Sequence, residues 1–125
     1  MSLLKILKTM FTPAPRATPA DSLARIRAGK ALLVDVREPG EWNGGVAHSA
    51  KLLPLSDLIG ERGQWKKFLA EVADRELLLY CASGARSRIA ANLLAAEGFR
   101  AANAGGLADW ADAGWSIEKV TRQHS

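Results

Sequence analysis

The 125-residue chain contains a single cysteine, Cys81, so an intramolecular disulfide is excluded and no resolving thiol exists within it. Histidine is nearly as scarce. His48 and the near-terminal His124, even with Cys81, fall short of a four-ligand structural zinc site. No metal and no cofactor is expected. No run of Lys and Arg is dense enough to form a nucleic-acid-binding arm. The formal charge of +4 suits an anionic partner, but basic and acidic residues alternate over most of the length, as on a solvated surface. Internal repeats and low-complexity tracts are also missing. What remains is an ordinary globular composition, 48% apolar and 24% charged, with enough chain for one hydrophobic core. A lone thiol is at ease in a reducing compartment, so a cytoplasmic location is expected.

The longest apolar stretch at the start is residues 3–11, where Lys5 and Lys8 interrupt Leu3, Leu4, Ile6, Leu7, Met10 and Phe11. It is too short and too charged to span a bilayer. As a helix it has a broad apolar face with a narrow Lys-bearing side. Three readings are open: docking on its own domain or fraying, contact with a membrane surface or a partner, and a cleaved signal ending near Thr18-Pro19-Ala20. Residues 12–19 hold Pro13, Pro15 and Pro19 and read as an extended linker. The expected organisation is an N-terminal segment and linker (1–17), one domain (18–120) and a C-terminal tail (121–125).

Within the domain, residues 31–36 (Ala-Leu-Leu-Val-Asp-Val) and 77–80 (Leu-Leu-Leu-Tyr) are short continuous apolar runs, as expected of strands buried on both faces. Shorter strands are expected at 51–53 and 101–103. Helices are expected at 20–28, 56–59, 64–72, 87–97 and 107–113, with Gly29 and Gly98 as stops. Strands alternating with helices predict an α/β fold: a short parallel sheet of about five strands with helices on both faces. Trp42, Trp110 and Trp115 are expected to pack in the core or at its rim.

The informative feature is the end of the 77–80 strand. It runs into Cys81-Ala82-Ser83-Gly84-Ala85-Arg86, and a helix follows from about Ser87. Ligands in an open parallel sheet bind beyond the carboxyl ends of the strands. The helix N-terminus points unpaired N–H groups at the loop, Gly84 lets the loop curl, and Arg86 adds a full positive charge. Each effect favours a thiolate, so a lowered Cys81 pKa is expected. Asp35 and Arg37 end the neighbouring strand on the same side and are expected to support the loop, pairing with Glu41 or holding nearby backbone. Ser87 is expected to cap the helix, and Ser83 is a candidate donor to an oxyanion.

The segment Cys81–Ser87, CASGARS, resembles the active-site loop of the rhodanese family, Cys-x-x-Gly-x-Arg followed by Ser or Thr. Leu33-Val34-Asp35-Val36-Arg37 with Glu41-Trp42 resembles that family's upstream signature. Asn103-Ala104-Gly105-Gly106-Leu107, through Trp110 and Gly114-Trp115, resembles its closing segment. The three occur in the family's order from about Thr18 onward. One departure stands out: Val46 occupies the place of the family's usual histidine, with His48 two positions on.

The resemblance implies a rhodanese-like sulfurtransferase. Cys81 would carry sulfur as a persulfide. Ala82, Ser83, Gly84, Ala85 and Arg86 would bind a small anionic sulfur donor such as thiosulfate. A thiol, cyanide or a carrier protein would accept the sulfur. Two other classes are open. One is a non-catalytic rhodanese-like binding or regulatory module, although such modules often lack the cysteine. The other is a cysteine-dependent phosphatase or arsenate reductase. Tyrosine-phosphatase loops resemble Cys-x-x-x-x-x-Arg, whereas here Arg86 comes one place early and Ser87 takes the sixth position.

Overall fold

The computed structural model describes residues 2–4 and 15–120. Most of the 3–11 segment and all of the 121–125 tail, including His124, lie outside the described residues. Leu3 and Leu4 are exposed. The elements run α1 (Pro19–Arg27), β1 (Ala31–Asp35), α2 (Pro39–Trp42), β2 (Val46–Ala47), β3 (Lys51–Leu52), α3 (Leu55–Leu58), α4 (Gly63–Leu69), β4 (Glu76–Cys81), α5 (Ala85–Ala96), β5 (Ala101–Gly106), α6 (Leu107–Asp112) and β6 (Ile117–Glu118).

The main sheet is parallel, with strand order β3-β1-β4-β5. The α/β architecture is as expected, with four strands in this sheet among the described residues. At the β5 edge, Arg16 forms an isolated parallel bridge to Asn103, flanked by the bonds Asn103 N–H to Pro15 O (2.7 Å) and Ala17 N–H to Asn103 O (3.0 Å). Proline at 15 has no N–H to extend a ladder, which keeps this pairing to a stub. The chain therefore engages the sheet from Pro15.

The apolar runs are continuous because the two central strands are covered on both faces. On β4, Leu77, Leu79 and Cys81 join one buried cluster with Val34, Trp65, Leu93 and Leu94. Leu78 and Tyr80 point the other way, into a cluster with Leu33, Ala47, Ala102 and Trp110. Side chains of period two thus send Cys81 toward α5 and Tyr80 toward α1 and α6. Leu77, Leu78 and Leu79 are each fully buried, and truncating one to Ala costs about 2–5 kcal/mol. The tryptophans pack as expected. Trp110 is fully buried and donates to Ala104 O at 2.9 Å, while Trp115 lies edge-on to it at 5.5 Å.

Three features were not anticipated. The β2–β6 pair is antiparallel and joins residues 46–47 to 117–118, far apart in sequence. Helix α2 is a single turn between Glu38 and Asn43. Strand β5 runs on through Gly105 and Gly106, with its register slipping against β4 between Leu79 and Cys81. That slip is a bulge beside the loop, and Gly105 takes the left-handed conformation it needs (φ 81°).

Candidate active site

Cys81 is the last residue of β4, and its side chain is buried beneath the following loop. Gly84 sits at φ 95° and is the N-cap of α5, so the helix begins at Ala85, two residues earlier than expected. The left-handed turn folds the loop back, and Gly84 N–H donates to Cys81 Sγ at 3.0 Å. Ala82, Ser83 and Ala85 face solvent around this turn. A β-carbon on Gly106 would clash with Ala82 O, so the bulged end of β5 packs directly under the loop and tolerates no side chain there.

Ser87 is not a helix cap. It is the third residue of α5, because Gly84 starts the helix early, and its side chain is buried. Its Oγ lies 3.5 Å from Cys81 Sγ and donates to Asn103 Oδ1 at 2.7 Å. The amide of Asn103 is oriented by two further bonds: Nδ2 donates to Gly84 O (3.1 Å) and Oδ1 accepts from Gly105 N–H (3.1 Å). Asn103 thus pins helix start, serine and bulge together. In the sequence Asn103 heads the segment that resembles the closing motif but carries no site role there; an amide in a strand of Ala and Gly is the signal that marks it.

The Cys81 thiol is held below its ordinary pKa by competing effects. Burial is the largest and opposes ionisation. The Ser87 hydroxyl and the N–H groups of Ser87, Ser83 and Gly84 favour the thiolate and outweigh it. A hydroxyl has one proton, and at 2.7 Å that of Ser87 is engaged by Asn103. The backbone N–H groups at the start of α5 therefore carry the larger share.

Arg86 does not project freely. Its two terminal nitrogens donate to the two oxygens of Glu41 at 2.7 Å each, and both side chains are about one-third exposed. This bidentate bond and the Glu38 N–H (2.9 Å) hold the Glu41 carboxyl at about 2, and the same pair raises Arg86 further above its usual value.

Asp35 and Arg37 pair with each other beneath this rim. Arg37 donates to Asp35 through its backbone N–H (2.9 Å), Nε (3.1 Å) and Nη2 (2.8 Å), and Trp42 Nε1 donates as well at 3.2 Å. Arg37 also donates to Gly45 O (2.7 Å) and to Glu41 O (3.4 Å). Its side chain does not meet the Glu41 carboxylate; it holds the Glu41 backbone. A continuous run of hydrogen bonds therefore links Asp35 through Arg37 and Glu41 to Arg86. Two cavities lie elsewhere: about 580 Å³ beside β2, β3 and β6, and about 400 Å³ between α1, β5 and α6. Cys81 lines neither.

Residues 18–113 match the family model described as a rhodanese-like domain. A sulfurtransferase of Allochromatium vinosum is 39% identical over 89 residues, covering 69% of this chain and 77% of that protein. The uncharacterized protein YqhL of Bacillus subtilis is 39% identical over 74 residues, 58% of this chain and only 54% of that protein. Among solved structures, the human single-domain sulfurtransferase TSTD1 superposes with a TM-score of 0.66 at 25% identity, over 79% of this chain and 96% of that one. A cysteine at the end of a central parallel strand, under a loop that opens a helix, is thus found in a chain that belongs to the rhodanese-like domain family.

Proposed function

We propose that the protein is a sulfurtransferase that carries sulfane sulfur as a persulfide on Cys81. The observation that carries this reading is the contact of Cys81 Sγ with Gly84 N–H at 3.0 Å, at the N-terminus of α5. A thiolate is favoured there without any metal or base. It attacks the outer sulfur of a donor such as thiosulfate. The donor's sulfur–sulfur bond breaks, sulfite leaves with the electron pair, and Cys81 holds a persulfide. The loop N–H groups then face negative charge on sulfur in both states of the cycle. A thiol, cyanide or a carrier protein attacks the outer sulfur and restores the thiolate. The acceptor comes from outside, because the chain has no second cysteine.

Under this reading the exposed loop residues Ala82, Ser83 and Ala85 meet the donor, and Arg86 does so in competition with Glu41. We place the protein in the cytoplasm, where a lone thiol stays reduced. Among the described residues, no helix is long and apolar enough to cross a membrane. A phosphatase is disfavoured by the short loop and by Arg86, which is turned to a carboxylate. A purely binding module has no use for a thiol with a lowered pKa.

Intact-mass measurement after thiosulfate treatment tests the reading. The wild type should gain one sulfur and Cys81→Ser none. Full cyanide-dependent turnover in Cys81→Ser, or robust aryl phosphate hydrolysis that the same substitution abolishes, overturns it.

A further inference from the structure

Resting on that reading, we propose that Glu41 sets the charge preference of the site: by neutralising Arg86 it turns Cys81 away from dianionic donors such as thiosulfate and toward less charged ones, such as the persulfide of a thiol. The side chains of the loop itself are otherwise uncharged at Ala82, Ser83, Gly84 and Ala85, so Arg86 is the loop's sole charged side chain. It is the second residue of α5, in the first turn of the helix whose start at Gly84 donates to Cys81 Sγ. Yet both terminal nitrogens of its guanidinium are bound by Glu41 at 2.7 Å.

Glu41 is in turn held in place. Glu38 N–H donates to it at 2.9 Å, and Arg37 donates to its backbone carbonyl. Its carboxyl, held at about 2, stays ionised at any working pH, so the pair is a neutral unit in ordinary conditions. A dianion arriving at Cys81 meets backbone dipoles and no uncompensated cation from the loop. To recruit Arg86 it must displace a bidentate carboxylate, which costs part of its binding energy. A persulfide donor brings one charge fewer and makes no such demand. Its outer sulfur is taken by the Cys81 thiolate as the donor's sulfur–sulfur bond breaks, and the donor leaves as a thiolate.

The test uses alkylation of Cys81, which needs a reactive thiolate but no sulfur transfer. Iodoacetate and iodoacetamide form the same sulfur–carbon bond and expel the same iodide, and they differ in charge. In Glu41→Gln the ratio of the iodoacetate rate to the iodoacetamide rate should rise about three- to fivefold, the range expected of a partly exposed pair. Cys81 must remain the alkylated residue and the iodoacetamide rate must stay within about twofold, as expected when the thiolate's N–H donors are unchanged. The gain should vanish in the Arg86→Ala background, because released Arg86 is its cause. Glu41→Asp, one methylene shorter, serves if Glu41→Gln does not fold, and its ratio should lie between the other two.

Thiosulfate kcat/KM should rise in parallel while kcat/KM for a persulfide donor does not. An unchanged ratio in both Glu41 variants overturns the proposal. So does a gain that persists without Arg86, which would make it a mere loss of local negative charge. If the ratio shifts as expected but no persulfide forms, the sulfurtransferase reading fails and the role of Glu41 stands.

Discussion

Two arginine–carboxylate pairs, joined by the bond from Arg37 to Glu41 O, are built almost alike, yet they have different work. Arg37–Asp35 is buried, with the aspartate fully out of solvent and the arginine nearly so. Arg86–Glu41 stands at the rim, with about a third of each side chain exposed. The buried pair spends every polar atom on structure: it anchors Trp42, the backbone at Gly45 and the Glu41 carbonyl. Removing one member leaves a charge stranded in the core. The rim pair can open into water at little cost. Two bidentate pairs of similar length therefore differ in what they can do: the inner one fixes geometry, and the outer one is able to exchange partners.

The sharpest break of this comparison is Asp35→Ala. It strips Arg37 of its carboxylate and Trp42 of its acceptor in a buried setting. The expected cost is about 3–5 kcal/mol, a large part of the stability of a domain this size. Urea unfolding should show a lower midpoint with an unchanged slope. Arg86→Ala, measured alongside, should cost less than about 1 kcal/mol. Equal losses in the two variants would erase the distinction between an inner and an outer pair.

The inner pair also shows how far the sequence could be read. Asp35 and Arg37 stood out because a buried apolar run ended in charge, and their placement on the side of the Cys81 loop followed from parallel strands sharing a carboxyl end. Cys81, Gly84 and the α5 dipole were legible for a similar reason: strand, turn and helix are consecutive, and local geometry fixes how they meet. The partners were not legible. Glu41 reaches Arg86 across 45 residues, and Asn103 reaches Ser87 across 16. No periodicity encodes such contacts. Ser87 read as a cap because serine before an apolar helix often is one, but Gly84 at φ 95° had already begun the helix. The β2–β6 pair escaped because each strand is two residues long and its partner is some 70 positions away. At that corner Val46 is buried against β6, while His48 turns outward to Glu118 at 2.8 Å, so His48 does not take the place that Val46 fills.

Tyr80 gives a middle-sized test, because it extends the inner pair toward that same corner. Its hydroxyl accepts Ala47 N–H at 2.9 Å, and both residues are fully buried. Burial first, and then the Asp35 carboxylate, keeps the phenol far above its ordinary pKa, so it stays protonated. Tyr80→Phe retains the ring and strands one buried N–H, at a cost of about 1–3 kcal/mol. Hydrogen exchange at Ala47 should speed up while the amides of β4 keep their protection. If Ala47 exchange is unchanged, the hydroxyl does not tie β2 to the sheet.

The smallest effect is the most specific to the outer pair, and it appears in acid. Glu41 has a folded-state pKa of about 2, depressed by Arg86 first and the Glu38 N–H second. In the unfolded chain it returns to the ordinary carboxylate range, about 4.3. Between these values the unfolded state binds more protons, so the pair's contribution is fully present above about pH 5 and fades as pH falls toward 2. Solvent screens a carboxylate this exposed, so the stability at stake is below about 1 kcal/mol. Such a difference is lost among the other carboxylates in a single acid titration. It is recovered by comparing melting temperatures of the wild type and Glu41→Gln over pH 6 to about pH 3. The gap should be widest at neutral pH and should narrow on acidification, and added salt should shrink it at every pH. A gap that is constant with pH and indifferent to salt would mean that Glu41 acts through packing alone, and the outer pair would then be a second inner one.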